Sequence, residues 1–76
     1  MTYPIEIKTR EDVIKLNKEA TKSDIKLSIS TGTTILDPRS ILCLFALIGK
    51  KVNLVAPDHS DPNNFLRLIK RMGVSV

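Results

Sequence analysis

Few side chains in this sequence have the type and spacing that chemistry requires. His59 is the only imidazole, and it lies in the polar stretch "PDHSD" between Asp58 and Asp61, next to Ser60. A serine nucleophile needs a base converging on it in space, and neighbours along the chain do not supply that geometry. A metal at His59 would need two or three further ligands. Cys43 is the only cysteine, so nearby aspartates are the only candidates. No glycine-rich loop is available to cradle a phosphate, because Gly32, Gly49 and Gly73 each fall where a turn or a helix end is expected. No carboxylate pair is placed for acid–base work. A non-enzymatic protein without metal or cofactor is expected, with His59 a solvated loop residue.

Ser40 has a more specific setting. It stands at the entrance of "LDPRSILCLFALIG", residues 36–49. Asp37 reads as a helix cap, Pro38 as the first helical residue and Gly49 as the C-terminal stop, which puts Ser40 in the first turn. A phosphate there would meet unpaired backbone amides and Arg39, with Asp37 opposing it by like charge. Serine is also common in first turns for its local hydrogen bonding alone. The helix that follows carries eight consecutive apolar residues, Ile41 to Ile48. At 100° per residue Ile41, Leu44, Phe45 and Ile48 cluster, leaving Leu42, Cys43, Ala46 and Leu47 around the rest. Either neighbouring elements cover the second set or an apolar patch stays exposed beside Ser40.

The elements that must position these residues are legible from periodicity. "YPIEIK" alternates, with Tyr3, Ile5 and Ile7 on one side, and Pro4 near the start where a strand tolerates it. Thr9 with Asp12 forms an acidic capping box for a helix through Lys22, whose apolar side is Val13, Ile14, Leu16, Asn17 and Ala20. "DIKLSIS" alternates with Ile25, Leu27 and Ile29 inward. "TGTT" turns the chain at Gly32, and "TTIL" returns as a partner strand. "KKVNLVA" is a further strand with Val52, Leu54 and Ala56 on one face. Asp61 and Pro62 open a last helix with Phe65, Leu66, Leu68, Ile69 and Met72 on its stripe, and Gly73 ends it. The order is βαββαβα. Strands alternating this strictly bury one face only, so an α+β, open-faced two-layer sandwich is expected: a four-stranded antiparallel sheet with three helices on one face.

Composition sets outer bounds. The 76 residues suit one domain, residues 1–76, and with three aromatics among 42% hydrophobic residues its core must be aliphatic. A lone thiol suits a reducing compartment. The charged N-terminus lacks a signal-peptide core, and eight apolar residues fall far short of the ~20 that cross a bilayer. A cytoplasmic protein is expected, without membrane contact. Twelve basic against eight acidic residues give +4, with no aromatic platform or reader motif, so nucleic acid is not the expected partner.

Taken together, the βαββαβα order, "SDIKLSIS", "RSILCLFAL" and "GKKVNLVAP" resemble HPr, the small histidine-containing phosphocarrier of the bacterial sugar phosphotransferase system. The likeness runs from about Ser23 to Gly73. Its sharpest part is Arg39-Ser40-Ile41, in the register of the family's regulatory serine. The resemblance implies that Leu44 and Leu47 point inward, that Ile41, Leu42 and Phe45 form a docking patch beside Arg39, and that Ser40 is the residue a dedicated kinase phosphorylates. The family's phosphoryl-accepting histidine precedes the first helix in a Gly-x-His-Ala-Arg-Pro motif. Here that junction reads Ile7-Lys8-Thr9-Arg10-Glu11-Asp12, without histidine. Threonine or lysine cannot replace an imidazole nucleophile. In this the chain resembles the catabolite-repression HPr paralogues of bacilli, which lack the histidine, keep the serine and regulate a transcriptional repressor.

The expected function is therefore regulatory protein binding switched at Ser40, with a transcriptional regulator or an HPr-type kinase as partner, or a second copy of the chain as a homodimer. Two rivals stand beside it. One is an atypical phosphocarrier using His59. The other is a basic accessory module that holds an acidic protein or nucleic acid through Lys15, Lys18, Lys22, Arg67, Lys70 and Arg71.

Overall fold

The computed structural model describes residues 1–73. Seven elements follow in chain order: β1 (Thr2–Ile7), α1 (Arg10–Lys22), β2 (Ser28–Ser30), β3 (Ile35–Leu36), α2 (Ile41–Phe45), β4 (Lys50–Val55) and α3 (Pro62–Met72). The strands form one sheet in the order β1-β4-β2-β3, antiparallel throughout. β4 is hydrogen-bonded on both sides, facing Ile5 with Val52 and facing Tyr3 and Ile29 with Leu54. Directly opposed residues share a face, so Ile5, Ile29, Val52 and Leu54 project together. Pro4 lies on the edge strand β1, where its missing N–H costs no ladder bond.

The inward residues meet Val13, Leu16 and Ala20 of α1, Leu44 of α2, and Phe65, Leu68, Ile69 and Met72 of α3 in one buried cluster. The opposite face carries Thr2, Glu6, Ser28, Ser30, Lys51 and Asn53, none of them buried. All three helices therefore roof one side, as the alternation predicts: an open-faced two-layer sandwich.

Both long helices begin as their caps predict. Thr9 accepts from the Asp12 amide, and the Asp12 side chain accepts from the Thr9 amide, completing the capping box. Asp61 caps α3 through the Asn63 amide, with Pro62 following, and Gly73 ends it in the left-handed conformation.

Two stripes are narrower than their sequences suggest. Ile14 and Leu66 are exposed, at 52% and 48%. Both lie on helix flanks, about 130° and 110° from the middle of the buried stripe at 100° per residue. Leu66 faces away from α1, and among the described residues no further helix covers that side. The middle of the chain is also less regular than expected. Asp24–Leu27 leads into β2 without pairing, although Leu27 is buried, and β3 is two residues long.

The largest departure is α2. Its helical part is five residues, starting three residues later than Asp37 and Pro38 suggest. Asp37–Ser40 is instead a β-turn, with the Ser40 amide donating to the Asp37 carbonyl at 3.0 Å and the Arg39 amide donating to Asp37 Oδ1 at 2.9 Å. Proline's fixed φ suits the second position of a turn as well as the first of a helix. Ser40 is thus the N-cap and not a first-turn residue. After Phe45 the chain continues through i→i+3 bonds, Leu47 to Leu44 and Ile48 to Phe45. That tighter winding brings positions three apart into line. It is why Leu44 and Leu47 are the buried pair, while Ile41, Phe45 and Ile48 of the spacing-derived cluster stay exposed.

Removing a fully buried side chain from α2 should therefore cost far more than removing an exposed apolar one. Urea unfolding of Leu44→Ala should show a loss of about 2–5 kcal/mol, enough to leave much of so small a domain unfolded. Ile14→Ala should stay within about 0.5 kcal/mol of the parent. Comparable losses in the two variants would contradict this assignment of the core.

Candidate functional site

The residues at issue cluster where α2 leaves its entry turn. Arg39 lies in the turn, Ser40 caps the helix, and Ile41, Leu42 and Phe45 are its exposed side chains, with Leu42 the most open at 80%. Leu44 and Leu47 are sealed beneath them. Ser40 is exposed, and its hydroxyl caps no amide, so a group added there would break no hydrogen bond. Its backbone carbonyl accepts from both Cys43 and Leu44 and starts the helix.

The position of the turn is set from α1. Asn17 Nδ2 donates to the Arg39 carbonyl at 2.9 Å and to the Pro38 carbonyl at 3.2 Å. Those oxygens would otherwise accept from residues 42 and 43 in a longer helix, so the amide of Asn17 replaces the bonds that a start at Pro38 would have made. Asn17 reads in sequence as a polar interruption of the apolar stripe, and this tertiary role has no local signal. At the other end, the Gly49 amide donates to the Ile7 carbonyl at 2.6 Å. α2 therefore runs back along α1, from Asn17 toward the β1–α1 junction.

Ile14 precedes Asn17 by one turn on the same flank of α1. Its exposed side chain is thus on the α2 side of the molecule, and Ile48 is exposed at the far end of α2. Both enlarge the apolar surface beyond Ile41, Leu42 and Phe45. Nothing local in the sequence separates Ile14 from the buried stripe beside it, since both recur at helical spacing.

The charges around the turn are paired. Arg39 donates through Nε to Asp37 Oδ1 at 3.3 Å and through a terminal nitrogen to Oδ2 at 3.1 Å. The guanidinium bond, helped by the Arg39 amide, holds the Asp37 carboxyl below its ordinary value, and Asp37 in turn raises Arg39.

At the β1–α1 junction two amides are taken by a carboxylate. Asp12 Oδ2 accepts from Lys8 N at 2.9 Å and from Thr9 N at 3.1 Å, placing a carboxylate at the positive end of α1. His59 is not brought there. β1 starts beside Val55 and ends beside Lys50, so the loop after β4 and the junction after β1 lie at opposite ends of the sheet, about 17 Å apart along the strand. His59 is exposed, in a turn that spans Pro57 to Ser60, where the Ser60 amide donates to the Pro57 carbonyl at 3.0 Å. The basic residues Lys15, Lys18, Lys22, Arg67, Lys70 and Arg71 are all exposed on α1 and α3, with Arg71 Nε bound to Glu19 at 2.6 Å. No helix among the described residues is long and apolar enough to cross a membrane.

No protein-family model matches the chain, and no curated protein matches it. Among solved structures, the backbone is similar to the crystal structure of HPr-C-His from Thermoanaerobacter tengcongensis, with a TM-score of 0.64 at 17% sequence identity. That similarity covers 100% of this chain and 97% of the other, so the likeness in fold to an HPr protein extends over the whole described architecture.

Proposed function

We propose that this chain is an HPr-like module that acts by binding a protein partner through α2 and does not carry phosphoryl groups on histidine. The observation that supports this most strongly is Leu42, an aliphatic side chain 80% exposed on a helix whose other leucine, Leu44, is sealed. With Ile41 and Phe45 it forms a projecting apolar surface, which is the kind of patch that marks a protein contact. Arg39 stands at its edge and supplies a charge for orientation. A transcriptional regulator or an HPr-type kinase fits this surface in kind.

Phosphoryl transfer at the β1–α1 junction is disfavoured on two counts. The junction has no imidazole, and the carboxylate of Asp12 holds the Lys8 and Thr9 amides and presents negative charge to an incoming phosphoryl group. Ser40 is the proposed switch. A phosphate there carries about −1.5 to −2 charges and can compete with Asp37 for the Arg39 fork. It would convert the entrance of the patch from a neutral ion pair to a negative rim and change which partner docks.

Treatment with an HPr-type kinase and ATP should add one phosphate to the parent chain and none to Ser40→Ala. Leu42→Asp should keep the parent circular dichroism, with stability within about 0.5 kcal/mol, yet be modified far more slowly. An intact mass unchanged in the parent, or a mass increase retained in Ser40→Ala, would refute the switch. Normal modification of Leu42→Asp would remove the patch from kinase recognition.

The ion pair at the turn makes a separate pH prediction. Because the Asp37 carboxyl is lowered in the folded protein, its pairing contributes stability above the unfolded value, which lies near 3.8, and that contribution is lost as pH falls through the folded value. Carbon-detected NMR titration should place the Asp37 midpoint below 3.8, and Arg39→Ala should return it toward that value. A midpoint indifferent to Arg39 would mean that the fork is not formed in solution.

A further inference from the structure

A second site is suggested on the other side of α1. Glu19 and Asn17 lie about 160° apart around the helix, so that α1 meets the entry turn of α2 through Asn17 and meets α3 through Glu19. Between the end of α1 and the flank of α3 is a cleft of about 230 Å³ lined by Lys22, Ser23, Asp24, Asn64, Arg67 and Arg71, with Ile25 and Leu68 as its apolar lining. Asn64, Arg67 and Arg71 recur at three- and four-residue spacing and so share one face of α3. Lys22 approaches from the opposite wall.

We propose that this cleft binds a small polyanion of the phosphate or diphosphate class. Four features support that ligand. Arginine presents planar, forked donors that match phosphate oxygens, and two such forks stand one turn apart. Glu19 holds Arg71 through Nε, which anchors the guanidinium at the cleft while its terminal nitrogens remain donors. Among the described residues, the side chains of Lys22, Arg67 and Asn64 have no hydrogen-bond or ion-pair partner. Ser23 Oγ accepts from the Ile25 amide at 2.9 Å, which fixes the hydroxyl oxygen and leaves its proton free to donate.

Size and charge narrow the class. The volume is below the ~300–1,000 Å³ of pockets that enclose drug-sized ligands, so a compact group is favoured over an extended peptide. No aromatic residue lines the cleft, so there is no platform on which a nucleic-acid base could stack. Three cations face Asp24 and the Glu19 that pairs with Arg71, leaving a positive excess. Asp24 and the carbonyl end of α1 oppose the anion, so binding should be weak and sensitive to the charge of Asp24. This site is independent of the docking surface on α2.

Pyrophosphate is the probe. Titrated into the isotope-labelled full chain at constant ionic strength, it should shift amides at 22–25 and 64–71 along one saturable curve. Arg67→Ala and Lys22→Ala should each weaken binding about fivefold or more while keeping the parent circular dichroism. Asp24→Asn should tighten it about threefold, a gain that a purely structural role would not produce. The proposal is overturned if sodium chloride at matched ionic strength reproduces the shifts. It is equally overturned if shifts spread without saturation over Lys15, Lys18, Lys50 and Lys51. A single-stranded oligonucleotide that binds with the same loss in Lys15→Ala as in Arg67→Ala would show a diffuse nucleic-acid surface and no defined cleft.

Discussion

The sheet is covered on one face only, and the rest of the molecule adjusts to that constraint. β4 is bonded to β1 and β2 and sends Val52 and Leu54 to the same side as Ile5 and Ile29. Three helices must share the single roof this creates. The two long ones, α1 and α3, lie side by side and take most of it. What remains for α2 is a narrow strip that Leu44 and Leu47 fill. The other large apolar residues of α2 cannot reach the sheet, and no second layer is available to them. An exposed patch at Ile41, Leu42 and Phe45 is therefore a consequence of layer count, whatever use is made of it.

Two hydrogen-bonded contacts decide where that strip of α2 lies. At the entrance Asn17 takes the carbonyls of Pro38 and Arg39, and at the exit the Gly49 amide takes the carbonyl of Ile7. Between them the chain has room for one α-helical turn and a 3₁₀ continuation. Both ends are thus pinned to α1 or to its approach, and the orientation of Leu42 follows from them. A polar residue on the buried flank of α1 costs little here, because its donor is satisfied by two acceptors that would otherwise be idle.

The pattern of what could be read from sequence follows the range of the interactions involved. Thr9 with Asp12, Asp61 with Pro62, and the alternation of Ile5, Ile7, Val52 and Leu54 are signals complete within a few residues, and the structure forms each as expected. "DPRS" is different, because proline and aspartate fit a helix start and a β-turn equally well. The choice is made by Asn17, more than twenty residues earlier in the chain. Ile14 and Leu66 show the same limit. Periodicity places them beside a buried stripe, and only the position of the neighbouring helices decides whether a flank is covered. The entrance to α2, where Arg39 and Ser40 lie, was the least legible segment because its geometry depends on the most distant partner. The exposure of Leu42 could be anticipated only from the surplus of apolar residues.

The two ends of α2 also bear on why binding and carriage can separate in such a fold. A histidine carrier must leave the amides at the β1–α1 junction open to a phosphoryl group, since charge developing there needs donors that are not already engaged. In this chain a carboxylate fills that place through Lys8 N and Thr9 N, and it also completes the cap of α1. Restoring an imidazole alone would not restore the site, because Asp12 would still present negative charge to the incoming group. Removing Asp12 would in turn cost the helix its capping box. The α2 surface depends on none of these groups. Its support comes from Leu44, Leu47, Asn17 and Gly49, so its shape does not depend on which groups occupy the junction.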